Sequence, residues 1–413
     1  MPYHPRHTLA AISFLLLPLF QCFAQADIIP PIAPQPAPLA TRTSEIRGIW
    51  IHTYGPYDWD TVMKKIAAAG FNCVFVRVAR GMNAIYPSQY LPRDGWAEAA
   101  GGDEMQRALD AAHRNGLEFH AWKVCFNSNA ATRTGPGPRA FHDPMVAEDR
   151  VSRDPAGTQA TFLTPGDPRN EELEFNVMLE LATKYNVDGV HFDYIRYTEE
   201  PSYDFDYGDV SRREFEKATG KVVFSWPADV YSGPRKLEYE DWERDNINRL
   251  VRRVYEAVKK AKPQVQVSAA VWRKHRLYRA ALKQDWLRWV QEGWLDFVVP
   301  MDYTADAEDF RETVRAQVAN TAGKMPIAAG IASYMQKTPE DLLKQIEIAR
   351  QEDTDGYVLF AYKTEGFDEM LDALAKGPQS QPAYPAYRAP DAKAVWPMSR
   401  GIERKDDVPA YAI

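Results

Sequence analysis

One unit repeats along this chain and constrains its fold more than anything else. From residue 45 to 376 a short apolar run is followed by a loop, then an amphipathic helix, then Gly or Asn, then the next run. The runs are rich in β-branched and aromatic residues: Ile46–Thr53, Asn72–Ala79, Leu117–Phe126, Val187–Tyr194, Val265–Trp272, Leu295–Tyr303, Lys324–Ala332 and Gly356–Tyr362. Such runs read as strands. Helical spacing lies between them, as in Asp60–Ala69, with Val62, Met63 and Ile66 on one face, and Glu104–Asn115, with Met105, Leu109 and Ala112. Thr338 followed by Pro339-Glu340-Asp341 starts another helix. Gly70, Gly116 and Gly293 each end a helix before a large apolar residue, and Asn186 is expected to do the same in the left-handed conformation. Strict β/α alternation over eight strands implies parallel pairing. The predicted fold is α/β, a (β/α)8 TIM barrel. An open doubly wound sheet would need a Gly-rich phosphate turn after its first strand, and His52-Thr53-Tyr54-Gly55 is not one.

The flanks differ in character. Arg6 and two histidines precede the apolar run Leu9–Phe20, which is shorter than the ~20 residues of a membrane span. Small residues at Ala24 and Ala26 follow, so residues 1–26 read as a signal peptide and the protein as exported, periplasmic or extracellular. Cys22 is an alternative point of lipid attachment. Residues 27–44 form a Pro-rich linker and 377–413 a Pro-rich C-terminal tail. No later segment is apolar for long enough to span a membrane. Cys73 and Cys125 sit at opposite ends of neighbouring predicted strands, on the order of 20 Å apart. A disulfide needs Cα atoms within about 7 Å, so both are expected as buried free thiols.

In a barrel of this kind the chemistry lies at the C-terminal ends of the strands. Two βα connections there are long, 127–168 after the third strand and 195–240 after the fourth. The strand ends supply Trp50 and His52; Arg77 and Arg80; Trp122 and Lys123; His191, Asp193, Tyr194 and Arg196; Trp272 and Arg273; Asp302 and Tyr303; Tyr362, Lys363 and Glu365. The seventh supplies only small residues, Gly330 and Ser333. Aromatics make up 12% of the chain, and at the strand ends they alternate with charges, a pattern suited to stacking on sugar rings. Net charge is −7, which argues against a nucleic-acid partner.

Within Asp188-Gly189-Val190-His191-Phe192-Asp193, alternation puts His191 and Asp193 on one face. His191 is expected one layer below Asp193 and able to hold it, with Arg77, Lys123 or Arg196 keeping the carboxylate ionised. An oriented carboxylate in an aromatic cleft suits glycosidic-bond cleavage. Asp302 or Glu365 is the expected proton donor, though parity leaves open whether Asp302 faces the cleft or the helices. Glu199, Glu200, Asp204 and Asp206 form a reserve on the loop after the fourth strand. Substrate binding is assigned to Trp50, His52, Arg77, Trp122, Lys123, His191, Arg196, Trp272, Arg273, Tyr303, Tyr362 and Lys363, the cations suiting hydroxyls or acidic groups. No cofactor or metal is expected.

These motifs resemble the bacterial glycosyl-hydrolase-like family 10, secreted barrel proteins of the cell envelope. The matching pieces are Glu45-Ile46-Arg47-Gly48-Ile49-Trp50, His120-Ala121-Trp122, the Asp188–Tyr197 stretch and Pro300-Met301-Asp302-Tyr303. The resemblance spans roughly residues 45 to 376. It implies a (β/α)8 barrel acting on polysaccharide, with peptidoglycan strands as a plausible substrate, and carries a catalytic residue over only at Asp193. Better-known glycosidase patterns are broken. Relative to family 18 chitinases, His191 stands at an inner Asp, Ile195 at the acid Glu and Thr304 at the final Asp. The fifth and seventh strand ends, Ala270–Arg273 and Ile331–Ser333, hold no acid. Two other classes stay open: a glycan-binding barrel without catalysis, and a metal-dependent hydrolase or deacetylase using His52, His191, Asp193 and Asp302.

Overall fold

The structure, a computed structural model, describes residues 43–80, 82–128, 137–199, 204–363 and 366–388. The expected signal peptide, Cys22, nearly all of the linker, Glu200, Glu365 and the tail beyond 388 lie outside these residues.

Eight parallel strands close into a barrel: β1 Ile46–Ile51, β2 Cys73–Arg80, β3 Glu118–Val124, β4 Gly189–Asp193, β5 Gln266–Trp272, β6 Phe297–Met301, β7 Ala328–Ala332 and β8 Gly356–Phe360. Each pairs with its sequence neighbours, and β8 returns to β1. Eight helices surround them: α1 Trp59–Ala68, α2 Glu104–Arg114, α3 Pro168–Lys184, α4 Lys236–Ala261, α5 Trp286–Glu292, α6 Ala307–Thr321, α7 Pro339–Gln351 and α8 Asp368–Lys376. The predicted strands all form. So does the helix start at Thr338, whose hydroxyl accepts from the Asp341 amide while the Asp341 carboxylate accepts from the Thr338 amide.

Gly70, Gly116 and Gly293 take positive φ, as the junction pattern predicts. Asn186 does not. The α3 helix ends one residue earlier on Tyr185 in an extended conformation, so the chain leaves this helix without a left-handed step. Cys73 and Cys125 are buried free thiols.

The two long connections carry structure of their own. A helix Gly137–Ala147 and a hairpin pairing Val151–Arg153 with Gln159–Leu163 follow β3. A helix Asp209–Thr219 and a turn of helix at Ala228–Tyr231 follow β4.

The described part of the C-terminal stretch is not detached from the barrel, contrary to the boundary expected at 376. Tyr384 bridges to Ser44. The Tyr387 ring stacks on Phe297 with centroids 4.7 Å apart, and its hydroxyl donates to Glu118 Oε2 at 3.0 Å while contacting His120 Nε2 at 2.9 Å. Arg388 joins the same Glu118 carboxylate. Residues 378–388 thus seal the N-terminal end of the barrel, leaving its C-terminal end as the open mouth. No helix among the described residues is long and apolar enough to cross a membrane.

Candidate active site

Below the mouth, the barrel interior is aromatic. Trp50 donates its indole N–H to His191 Nε2 at 3.2 Å, and His191 Nδ1 lies 2.8 Å from Ser268 Oγ. An indole can only donate, so Nε2 is bare and the His191 proton sits on Nδ1, donated to Ser268. Burial, reinforced by His120, holds this imidazole neutral. Trp50 and His191, expected to touch substrate, are therefore buried supports, 1% and 0% exposed. His191 does not hold Asp193, because both of its nitrogens are already engaged.

Asp193 ends β4 and faces the mouth. Trp122 holds it, donating its indole N–H to Oδ2 at 3.0 Å, and the Tyr194 amide donates to Oδ1 at 2.7 Å. Arg196 Nη1 stands 3.8 Å from Oδ1. Burial raises the Asp193 carboxyl above its ordinary range, against the pull of Arg196 and the two N–H donors. The cations expected to keep it ionised thus do less than anticipated: Arg196 is off hydrogen-bond distance, and Lys123 points away.

Arg196 is the hinge of the site. Tyr194 adopts a positive φ of 55°, turning the chain at the end of β4. The Arg196 guanidinium then lies 3.8 Å over the Tyr194 ring and 5.5 Å from the Trp272 ring. Its Nη2 donates to Glu199 Oε1 at 3.1 Å. One buried guanidinium thus contacts two carboxylates, Asp193 through Nη1 and Glu199 through Nη2. Glu199 Oε2 is left without a partner. The charge run after the fourth strand was read as a mere reserve, yet the strand-end turn folds its first member back over the mouth. Asp206, from the same run, is instead fully buried against Ser152.

Besides Trp50 and His191, five further expected site residues do not line the mouth. Side chains alternate on a strand, so Trp122 and Lys123 cannot both face in. Trp122 does. Lys123 is fully buried on the outer face, paired with Glu174 of α3. On the β6 end, Met301 and Tyr303 face in, and Asp302 faces the helices, accepting from Gln317 Nε2 at 2.6 Å. Arg273 likewise turns outward to Asp309 and Thr313 on α6, at 2.7 and 2.8 Å. Tyr362 packs against Phe367 in the outer layer, and Lys363 is exposed. With Asp302 behind the wall and His191 engaged, the residues considered as metal ligands do not converge.

The rest of the mouth is aromatic and cationic. His52 stacks on Tyr54 with centroids 5.2 Å apart and lies 5.1 Å from Trp122. Burial, then Arg77 and Arg80, lowers His52 to about 3, so it is neutral. Trp272 stacks on Tyr278 at 4.4 Å, and Tyr303 packs 5.2 Å from Phe360. Phe360 and Tyr334 were missed from the sequence. Phe360 shares inward parity with Val358. Tyr334 follows the small residues of β7 in a short helical turn and is 53% exposed at 6.4 Å from Tyr303. Tyr54, on the loop after β1 and not among the expected site residues, is 56% exposed.

Comparison with known proteins agrees with this architecture. Glycosyl hydrolase DigH of Escherichia coli (strain K12) is 26% identical over 349 residues, 71% of this chain and 74% of that protein. Glycosyl hydrolase YngK of Bacillus subtilis (strain 168) is 25% identical over 308 residues, 64% of this chain and 55% of that one. The catalytic domain of β-amylase from Paenibacillus polymyxa has a similar fold, with a TM-score of 0.56 at 13% identity over 82% of this chain and 100% of that one. So has α-L-fucosidase isoenzyme 2 from Paenibacillus thiaminolyticus, with a TM-score of 0.55 at 13% identity over 80% and 48%. Residues 45–344, most of the barrel, match the Glycosyl hydrolase-like 10 family, and the chain belongs to that family.

Proposed function

We propose that this protein is a glycoside hydrolase that cleaves an envelope or extracellular polysaccharide, with peptidoglycan glycan strands as the first candidate. The observation that carries this reading is the pair Asp193 and Glu199, bridged by Arg196 in an aromatic mouth. Glycosidic cleavage needs one carboxyl to protonate the leaving oxygen and a second to carry negative charge opposite the reacting carbon or to activate water. From strand parity alone, Asp193 is expected to carry the charge. The geometry favours the reverse. Glu199 takes the closer contact with the guanidinium, 3.1 Å against 3.8 Å for Asp193. Asp193 is buried and raised, which suits it to hold and deliver a proton. Tyr54 and Tyr334 are exposed enough to stack on sugar rings, with Trp272 and Tyr303 half-buried between. The N-terminal apolar run fits export to the compartment where such glycans are found.

The test is reducing-end release from purified glycan strands and from soluble polysaccharides by wild type, Asp193→Asn and Glu199→Gln. Each substitution should lower turnover per folded molecule by about 10²–10³-fold; Asp193→Asn also turns its amide on one of the two N–H donors, Trp122 or Tyr194, and should melt below wild type. Either variant retaining more than about half its turnover per folded molecule would remove that residue from the mechanism. Tight oligosaccharide binding by a wild type that turns nothing over would make this a glycan-binding barrel instead.

A further inference from the structure

Arg77 is a buried arginine whose side-on fork is unfilled, whereas Arg196, which also has two unpartnered nitrogens, already bonds Glu199. The Arg77 side chain is 5% exposed, yet Nε and Nη2 have no hydrogen-bond partner. These two nitrogens form the side-on fork that matches the two oxygens of a carboxylate. Elsewhere in the same chain that fork is filled: Arg350 donates through Nε and Nη2 to the two oxygens of Glu45, each at 2.7 Å. A guanidinium held out of water with an empty fork is costly unless something occupies it in use.

Its surroundings reinforce the vacancy. The β2 register slips between Arg77 and Ala79, breaking the normal alternation. Arg80 therefore reaches the same place as Arg77, their Cζ atoms 5.4 and 4.5 Å from the Tyr54 ring centroid. No carboxylate among the described residues ion-pairs with either arginine; Asp193, held by the Trp122 indole beside Arg77, reaches Arg77 only through its longer-range charge and has its ion pair with Arg196. His52 Nδ1, beside them, is buried and without a partner as well. Two cations without an ion pair among the described residues and three unpartnered nitrogens thus share one corner of the mouth, at the ends of β1 and β2.

We propose that Arg77 and Arg80, capped by Tyr54, form an anion subsite for a carboxylate carried on the sugar chain. The proposal rests on the glycan reading above and names the chemical class of the chain: acidic, with a carboxylate one subsite from the Asp193–Glu199 pair. The Tyr54 ring covers the guanidinium and swings outward to admit the ligand, then packs on the sugar that bears it. A neutral hydroxyl would leave the fork half-used and both charges uncompensated, so a neutral sugar is discriminated against at this position.

The test measures binding rather than turnover. Isothermal titration at low salt compares three probes: the N-acetylglucosamine tetramer, its O-carboxymethyl ether, and the methyl ester of that ether. The carboxymethyl tetramer should bind wild type about tenfold or more tighter than the other two. The gap should shrink to about threefold or less in Arg80→Gln and in Arg77→Gln. Arg77→Lys keeps the charge without the fork and should retain only part of it. Melting curves check each variant, and if Arg77→Gln does not fold, Arg80→Gln and the ester probe carry the result. Equal wild-type affinity for the acid and its ester overturns the proposal, as does a gap that Arg80→Gln and Arg77→Lys leave intact. A protein that binds the neutral tetramer without any gap keeps its glycan reading and loses the subsite. One that binds none of the three loses both.

Discussion

Asp302→Asn separates the two orientations that parity left open at the end of β6. The Asp302 carboxyl is fully buried against α6, accepting from Gln317. Burial lifts it from 3.8 to about 7, against the opposing charge of Arg273. The folded pKa is thus above the unfolded one. As pH rises from the unfolded value towards the folded one, the unfolded chain gives up its proton and the folded chain does not. Stability falls across that window and levels off above it. At about 1.36 kcal/mol per unit, the loss reaches at most about 4 kcal/mol in total. Asparagine has nearly the same shape, keeps a carbonyl for Gln317 and cannot ionise. Urea unfolding of wild type and variant at pH 5 and pH 8 should show the variant gaining about 2–3 kcal/mol on wild type between the two. Taking the difference cancels the other buried carboxyls raised to about 7, Asp206 and Glu243. Turnover per folded molecule should be unchanged. A stability difference that does not move with pH, or a variant that folds and loses turnover by about a hundredfold or more, would refute the outward placement.

Three further outcomes are expected. Intact-mass analysis of exported protein should show a mature N-terminus near residue 24 or 26, or a lipid-modified Cys22; material that still begins at Met1 would refute the signal peptide. Alkylation of the denatured, unreduced mature chain should label Cys73 and Cys125 both, since each is buried and free; a fully unlabelled chain would mean the two strand ends come together. Lys123→Met strands the buried Glu174 carboxylate and should destabilise the fold by about 3–5 kcal/mol, with Lys123→Met/Glu174→Gln recovering much of the loss. A single variant as stable as wild type would argue that Lys123 is not paired behind the strand.

The sequence by itself determined the barrel, the number and approximate placement of its strands, and the inward place of Asp193. These follow from local signals: the β/α alternation, the glycines Gly70, Gly116 and Gly293, and the two-residue period of a strand. That same period fixes which side chains share a face but not which face looks inward. At the end of β3 the sequence offers Trp122 and Lys123, and at β6 Met301, Asp302 and Tyr303. Only barrel closure, with Glu174 and Gln317 waiting on the helices behind, settles each pair. Irregular backbone is legible still less. The register slip in β2 brings Arg80 beside Arg77, and the positive φ at Tyr194 folds Arg196 and Glu199 back over the mouth. Residues 378–388, which read as a Pro-rich tail, have partners at Phe297, His120 and Glu118, far away in sequence. A local pattern can state a residue's neighbours along the chain. The Arg196–Glu199 contact, the unfilled Arg77 fork and the barrel floor depend on contacts that exist only once the sheet has closed.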